Sequence, residues 1–178
     1  RGLAEIARKQ YKSAQSALAP LNRDGLDKAG LAPVYPYTLY YQAWAAYRLA
    51  QVSEARAKAV ALLEGFPTHP LFPSALYLAG WASYTLEDYR AAAAYFARLA
   101  KLEGAAQERA LYLNAKSLAA LGQKQEAAQA FRTLFTAHPQ SEFADDALFE
   151  YAGLLAIRRQ IASAVNLVIH ISRLSDGT

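Results

Sequence analysis

Between residues 76 and 99 the apolar and small positions fall three and four apart, interrupted once by a polar turn. Leu76, Gly80 and Ser83 share one face, Glu87-Asp88 makes the break, and Ala92, Phe96 and Leu99 resume the pattern. This spacing predicts two helices packed face to face, the small Gly80 and Ala92 letting their backbones approach. Phe96 and Leu99 fill the space toward the next unit. Proline-bearing connectors, Phe66-Pro67-Thr68-His69-Pro70, Phe72-Pro73 and His138-Pro139, stand where helices must stop.

The same pattern recurs. Ala55, Ala92, Ala127 and Ala164 are separated by 37, 35 and 37 residues. Four residues after each lie Ala59, Phe96, Phe131 and Val168, and seven after each lie Leu62, Leu99, Leu134 and Ile171. Twelve before each stands a small residue, Ala43, Gly80, Ala115 and Ala152, itself preceded at four by Leu39, Leu76, Leu111 and Leu148. Several columns obeying one offset series mark an internal repeat of paired helices. An earlier, partial unit is read from Tyr11, Ala14, Leu18 and Leu21, with only the end of its first helix present. The step from Ala14 to Ala55 is 41 residues, and the excess lies in a polar loop from Asn22 to Pro33.

Composition agrees with packed helices: 40 of 178 residues are alanine, against 9 glycines and 7 prolines. The absence of cysteine removes disulfide scaffolds, thiol catalysis and thiolate metal sites. A net charge of +4 is spread over scattered sites such as Arg8-Lys9, Lys101, Lys116, Lys124 and Arg158-Arg159, the pattern of a solvated surface rather than a nucleic-acid stripe. No run reaches the roughly 18 apolar residues of a membrane span. The chain opens with Arg1-Gly2 rather than Met and a basic stretch, so no signal peptide is visible, and the true start is expected to have been removed by processing or by design.

A unit of this length, with small residues in both helices and Ala-x-x-x-Phe at Ala92–Phe96 and Ala127–Phe131, resembles the tetratricopeptide repeat (TPR). Pro139 and Gly122 stand where that family places its closing proline and its inter-helix turn. The first full unit departs with Ala59, and the fourth with Val168, where the family has an aromatic. The resemblance implies an all-α, right-handed superhelix of antiparallel helix pairs. Its expected divisions are a partial repeat plus inserted loop over 1–35, then repeats over 36–70, 71–104, 105–140 and 141–178. The connector Pro139-x-Ser141-x-x-Ala144-x-x-Ala147 is similar to that of bacterial envelope TPR proteins, such as the outer-membrane assembly lipoprotein and the Tol–Pal accessory protein. It implies a periplasmic or envelope location.

One position after each column leucine, then four and seven further on, runs a second stripe: Tyr40, Trp44, Tyr47; Tyr77, Trp81, Tyr84; Tyr112, Lys116, Ala119; Phe149, Gly153, Ala156. By the family's geometry it lines the concave wall. Ten of the 12 tyrosines and both tryptophans precede residue 96, so the aromatic groove belongs to the first two full units. Trp44 and Trp81, where the family has small polar residues, are expected to form a continuous indole platform. The clamp with which some TPR domains hold a C-terminal carboxylate needs asparagine at that middle position, and Trp44, Trp81, Lys116 and Gly153 do not supply it.

The expected function is therefore non-enzymatic recognition of a peptide segment or partner protein through this groove. The alternative is a scaffolding segment of a larger envelope assembly or multidomain protein, its groove filled by its own chain. No cofactor or metal is expected. His69 and His138 sit in connectors a unit's width apart, His170 stands alone, and Asp145-Asp146 reads as a helix-start pair. RNA-reading helical repeats place polar code residues where this chain has aromatics, so nucleic acid is not an expected partner. The last helix, Ile161–Leu174, carries Val165, Leu167, Val168, Ile169, Ile171 and Leu174 on more than one side. Either further repeats, another domain or a second chain covers it, or Val165, Val168, Ile169 and Ile171 simply pack inward.

Overall fold

The computed structural model describes residues 2–102, 104 and 106–175, the side chains of Leu167, Val168 and 170–175 excepted. The repeat positions Val168 and Ile171, His170, and the apolar residues Leu167 and Leu174 fall among these exceptions. Every regular element among the described residues is helical. In chain order they are α1 (Gly2–Ala7), α2 (Tyr11–Leu18), α3 (Arg23–Lys28), a 3-10 turn (Ala32–Val34), α4 (Tyr35–Arg48), α5 (Val52–Gly65), α6 (Phe72–Thr85), α7 (Tyr89–Ala100), α8 (Gln107–Ala120), α9 (Lys124–Ala137) and α10 (Ala144–Ser175). Apart from the short α3, which lies against the 3-10 turn while α2 packs directly on α4, each helix packs on the next, so contacts run along one line and the units stack as a superhelix.

The four hairpin turns among the described residues share one backbone device. Lys9, Ala50, Glu87 and Gly122 take positive φ values of 59°, 60°, 60° and 83°. Each lies five residues before an alanine of the repeat column: Ala14, Ala55, Ala92 and Ala127. The following N–H donates back to a carbonyl five residues earlier, as Gln10 to Glu5, Gln51 to Ala46, Asp88 to Ser83 and Gln123 to Leu118, at 2.9–3.0 Å. This is the Schellman closure, which satisfies carbonyls that a helix end would leave orphaned. It offsets the roughly 1–2 kcal/mol that a left-handed conformation costs a residue with a Cβ.

Column residues form the core. Ala43, Ala55, Ala59, Leu62, Leu76, Ala92, Phe96, Ala115, Ala127, Phe131 and Leu134 are all fully shielded, each larger side chain contributing about 1.5–3 kcal/mol by burial. Gln42 and Asn114 occupy one further column. Gln42 Nε2 donates to the Leu18 carbonyl in α2 at 2.9 Å, and Asn114 Nδ2 donates to the Ala93 carbonyl in α7 at 2.8 Å. Each ties a unit's first helix to the preceding unit's second helix.

The connectors after α5 and α9 also repeat. His69 Nδ1 accepts from the Leu71 N–H at 3.2 Å, and Ser141 Oγ accepts from the Phe143 N–H at 3.3 Å. His69 thus performs the serine's local turn function. His138 stands elsewhere in its connector, with Nδ1 3.5 Å from Glu108. The two histidines are not equivalent positions of the repeat.

Two segments differ from the sequence expectation. The polar stretch from Asn22 to Pro33 is not simply a loop. Asn22 Oδ1 caps α3 by accepting from the Gly25 N–H at 2.8 Å, and Leu26 inserts its side chain into the protein. More consequentially, the repeat expected over 141–178 is not a helix pair in its described part, 141–175. α10 runs unbroken for 32 residues, about 48 Å at helical rise. Arg159, which occupies the left-handed turn column, is helical, and Ala152 and Ala164 are both exposed. The turn chemistry does not explain this, because Arg8-Lys9-Gln10 turns with nearly the same residues as Arg158-Arg159-Gln160. What differs is packing. α2, α5, α7 and α9 each lie between two first helices, whereas α10 packs on α9.

Candidate functional site

Successive first helices are joined along the stripe. Tyr40, on α4, lies beside the Ser74 hydroxyl on α6. Arg109 on α8 pairs with Glu142 at 3.2 Å, lies 5.6 Å from the Phe143 ring centre and stands near Tyr77 of α6. Lys116 Nζ donates to Glu150 Oε1 at 2.6 Å, beside Tyr84 and Tyr112. The second helices have rungs of their own: Gln15 Nε2 to Gln51 Oε1 at 2.6 Å and Arg56 to Asp88 at 3.0 Å. The stripe therefore belongs to a wall of first helices distinct from the wall of second helices.

Within the first wall the aromatics form two groups that meet at Tyr77. Tyr40, Trp44, Tyr47 and Tyr77 rest half-buried on the core around Leu39, Ala43 and Leu76. Tyr77, Trp81, Tyr84 and Tyr112 rest on Ala92, Phe96 and Leu113. The Trp81 ring meets Phe96 edge-on at 6.3 Å and Tyr84 at 5.9 Å, while Tyr77 reaches both Trp81 and Phe96 at 6.4 Å. Trp44 lies 6.4 Å from Tyr47, with the Arg48 guanidinium 5.9 Å from its centre.

The expected continuous indole platform is not formed, since no ring contact among the described residues joins Trp44 to Trp81. Gly80 lets Phe96 rise between the helices, and Trp81 tilts onto it. The two indoles are separate anchors in adjacent units, each leaving part of its surface open.

Phe149 does not join the others. It is 79% exposed and touches no ring, because α10 turns its Ala147, Tyr151 and Leu154 face toward α9 and leaves Phe149 opposite. Glu150 takes the place beside Lys116, and Phe143 stacks on Tyr112 at 5.3 Å. Phe143 lies outside the stripe spacing, because its connector rather than the helix register brings it to Tyr112. The first-helix wall thus grades from aromatic in α4 and α6 to ion-paired at α8 and α10.

Burial raises the pKa of Tyr40, against a smaller lowering by the Ser74 hydroxyl. Burial likewise raises Tyr112, with Lys116 opposing it, and the hydrogen bond to Glu150 raises Lys116. All three groups keep their protons at neutral pH. The stripe offers hydroxyl and indole donors around apolar rings. Among the described residues no three His, Asp or Glu side chains converge to hold a metal ion, and no helix is long and apolar enough to cross a membrane.

Comparison with known proteins follows the same lines. Residues 109–141, which span most of α8, all of α9 and Pro139, match the family model of the tetratricopeptide repeat. No curated protein sequence matches the chain. Among solved structures, a variant of a putative kinesin light chain from Podospora anserina with nearly identical TPR-like repeats superposes with a TM-score of 0.71 at 14% identity, covering 99% of this chain and 93% of that one. A crystal structure of MamA gives 0.64 at 15% identity over 91% and 96%. MamA from Desulfovibrio magneticus RS-1 gives 0.60 at 16% over 89% and 92%. At these identities the likeness is one of fold. The chain is an all-helical, TPR-like solenoid, with residues 109–141 matching the tetratricopeptide repeat itself.

Proposed function

We propose that the chain is a non-enzymatic recognition module that holds a peptide segment of a partner protein along the first-helix wall. The observation that carries this reading is the half-exposed state of Tyr40, Trp44, Tyr77 and Trp81. Large aromatics anchored on a rigid core, with free faces and polar tips, bind protein segments at low entropic cost. TPR-type repeats are in general non-catalytic protein-interaction modules, which favours the same reading. The grading of the wall fits a segment with apolar side chains over α4 and α6 and a polar or charged portion over Lys116 and Glu150.

The test uses peptides selected from a random display library on the immobilised chain, with affinity measured by calorimetry. The W44A/W81A variant is expected to lose more than about tenfold in affinity, equivalent to about 1.4 kcal/mol. Equal affinity, with unchanged helicity and melting, overturns the reading.

A scaffolding role in a larger assembly is a second reading, favoured by the apolar side chains that α10 exposes at Ile157, Ile161, Val165 and Ile169. An envelope location rests on the Pro139–Ala147 connector alone. Fractionation of cells producing the full-length protein tests it.

A further inference from the structure

The two halves of α10 are complementary to one another but cannot meet within one straight helix. Its first half exposes Leu148 (50%) and Ala152, the positions held in the preceding units by Leu39 and Ala43, Leu76 and Gly80, and Leu111 and Ala115. In those units this face is covered by the second helix: Ala43 shares a buried cluster with Ala59 and Leu62, Gly80 lies under Phe96, and Ala115 shares one with Ala127, Phe131 and Leu134. The second half of α10 carries the register of such a covering helix, with Ala164, Val168 and Ile171 in the columns of Ala127, Phe131 and Leu134. It also exposes Ile161 (54%), Val165 (50%) and Ile169 (44%) at successive four-residue steps. The chain thus encodes both the uncovered face and its cover.

We infer that α10 pairs antiparallel with α10 of a second copy of this chain, each copy's residues 161–175 covering the other's Leu148–Ala152 face. This is a hairpin opened at its turn and closed between two molecules, a common route to dimers. The opened form keeps Arg159 helical, where closure within one chain would force it into the left-handed conformation that Lys9, Ala50, Glu87 and Gly122 adopt. Antiparallel pairing about Arg158 sets Ala152 of one helix opposite Ala164 of the other, with the acidic Asp145-Asp146 start of each helix at the far end from the Arg158-Arg159 pair. A cleft of about 380 Å³ opens beside the uncovered face, bounded by Lys124, Gln125 and Gln129 of α9 and by Leu155, Arg158 and Ile161 of α10. The corresponding flank of α5 is occupied by the start of α7, through Arg56 and Asp88.

The chain has no cysteine, so two single variants, Ala152→Cys and Ala164→Cys, report the pairing directly. Differently tagged, mixed and treated with a short bis-maleimide, they are expected to give the mixed 152–164 product in large excess over 152–152 and 164–164. Light scattering of the unaltered chain is expected to give twice 19.4 kDa. Arg159→Gly, which eases the left-handed turn, is expected to shift the population to monomer and to move the 152–164 cross-link of the double cysteine variant into one chain. Three results overturn the inference: a monomer at every concentration, a within-chain 152–164 cross-link when Arg159 is unchanged, or dominance of the symmetric products. Wild-type-like circular dichroism of each variant excludes misfolding as the cause.

Discussion

A Cβ placed on Gly80 would stand 2.6 Å from Cε1 of the Phe96 ring. The second full unit therefore depends on the absence of a side chain on α6 as much as on the presence of one on α7. Gly80→Ala forces the fully buried Phe96 to move against Tyr77 and Trp81, and is expected to cost about 1–3 kcal/mol in urea unfolding. Adding Phe96→Leu to Gly80→Ala should recover part of that loss. A double variant as unstable as the sum of its single variants would show that the two residues do not share one space.

Ser83 and Ser117 are both fully buried, but they are not equally satisfied. Ser117 Oγ donates to the Leu113 carbonyl at 2.7 Å, whereas Ser83 Oγ has no partner among the described residues. Ser83→Ala removes an unpaired buried hydroxyl and is expected to stabilise by up to about 1 kcal/mol, while Ser117→Ala loses about 0.5–1.5 kcal/mol. Opposite signs in denaturant titrations are the expected outcome. A loss on Ser83→Ala would mean that its hydroxyl is paired after all.

Stability should fall at alkaline pH. Tyr40, Tyr112 and Lys116 hold their protons above the ordinary values of 10.0 for tyrosine and 10.5 for lysine. The unfolded chain thus releases these protons first, so their stabilisation is complete below about pH 10 and is lost as pH rises through the raised values. Tm is expected to be level up to that point and to decline above it. Tyr40→Phe should flatten the decline, because the burial that raises Tyr40 then acts on a ring that cannot ionise. A decline as steep as that of the unaltered chain would contradict this assignment.

The hairpins were legible in the sequence because small and large residues recur in register with the turns, of which only Glu87-Asp88 and Gly122 carry a signal of their own. Ala50 and Glu87 adopt left-handed φ without being glycine, so the alanine column locates the turns better than the turn residues do. The unbroken α10 was not legible, since Ala164, Val168 and Ile171 continue the columns of the preceding second helices. Gln42 and Asn114 stand one repeat-pair apart, a spacing that could have flagged them as inter-unit hydrogen bonders. Trp44 and Trp81 lie on the first helices α4 and α6, and their separation depends on Phe96 rising over Gly80. That is a contact between helices, and periodicity within one helix does not carry it.

Trp44 and Trp81 are the chain's two tryptophans, so its indole fluorescence comes from the proposed groove alone. Titrating the chain with a selected peptide that lacks tryptophan is the most direct test of a binding role for this wall. A saturable shift of emission to shorter wavelength, with a midpoint equal to the calorimetric Kd, is the expected result. Saturable binding by calorimetry with unchanged tryptophan emission would place the ligand elsewhere and contradict it.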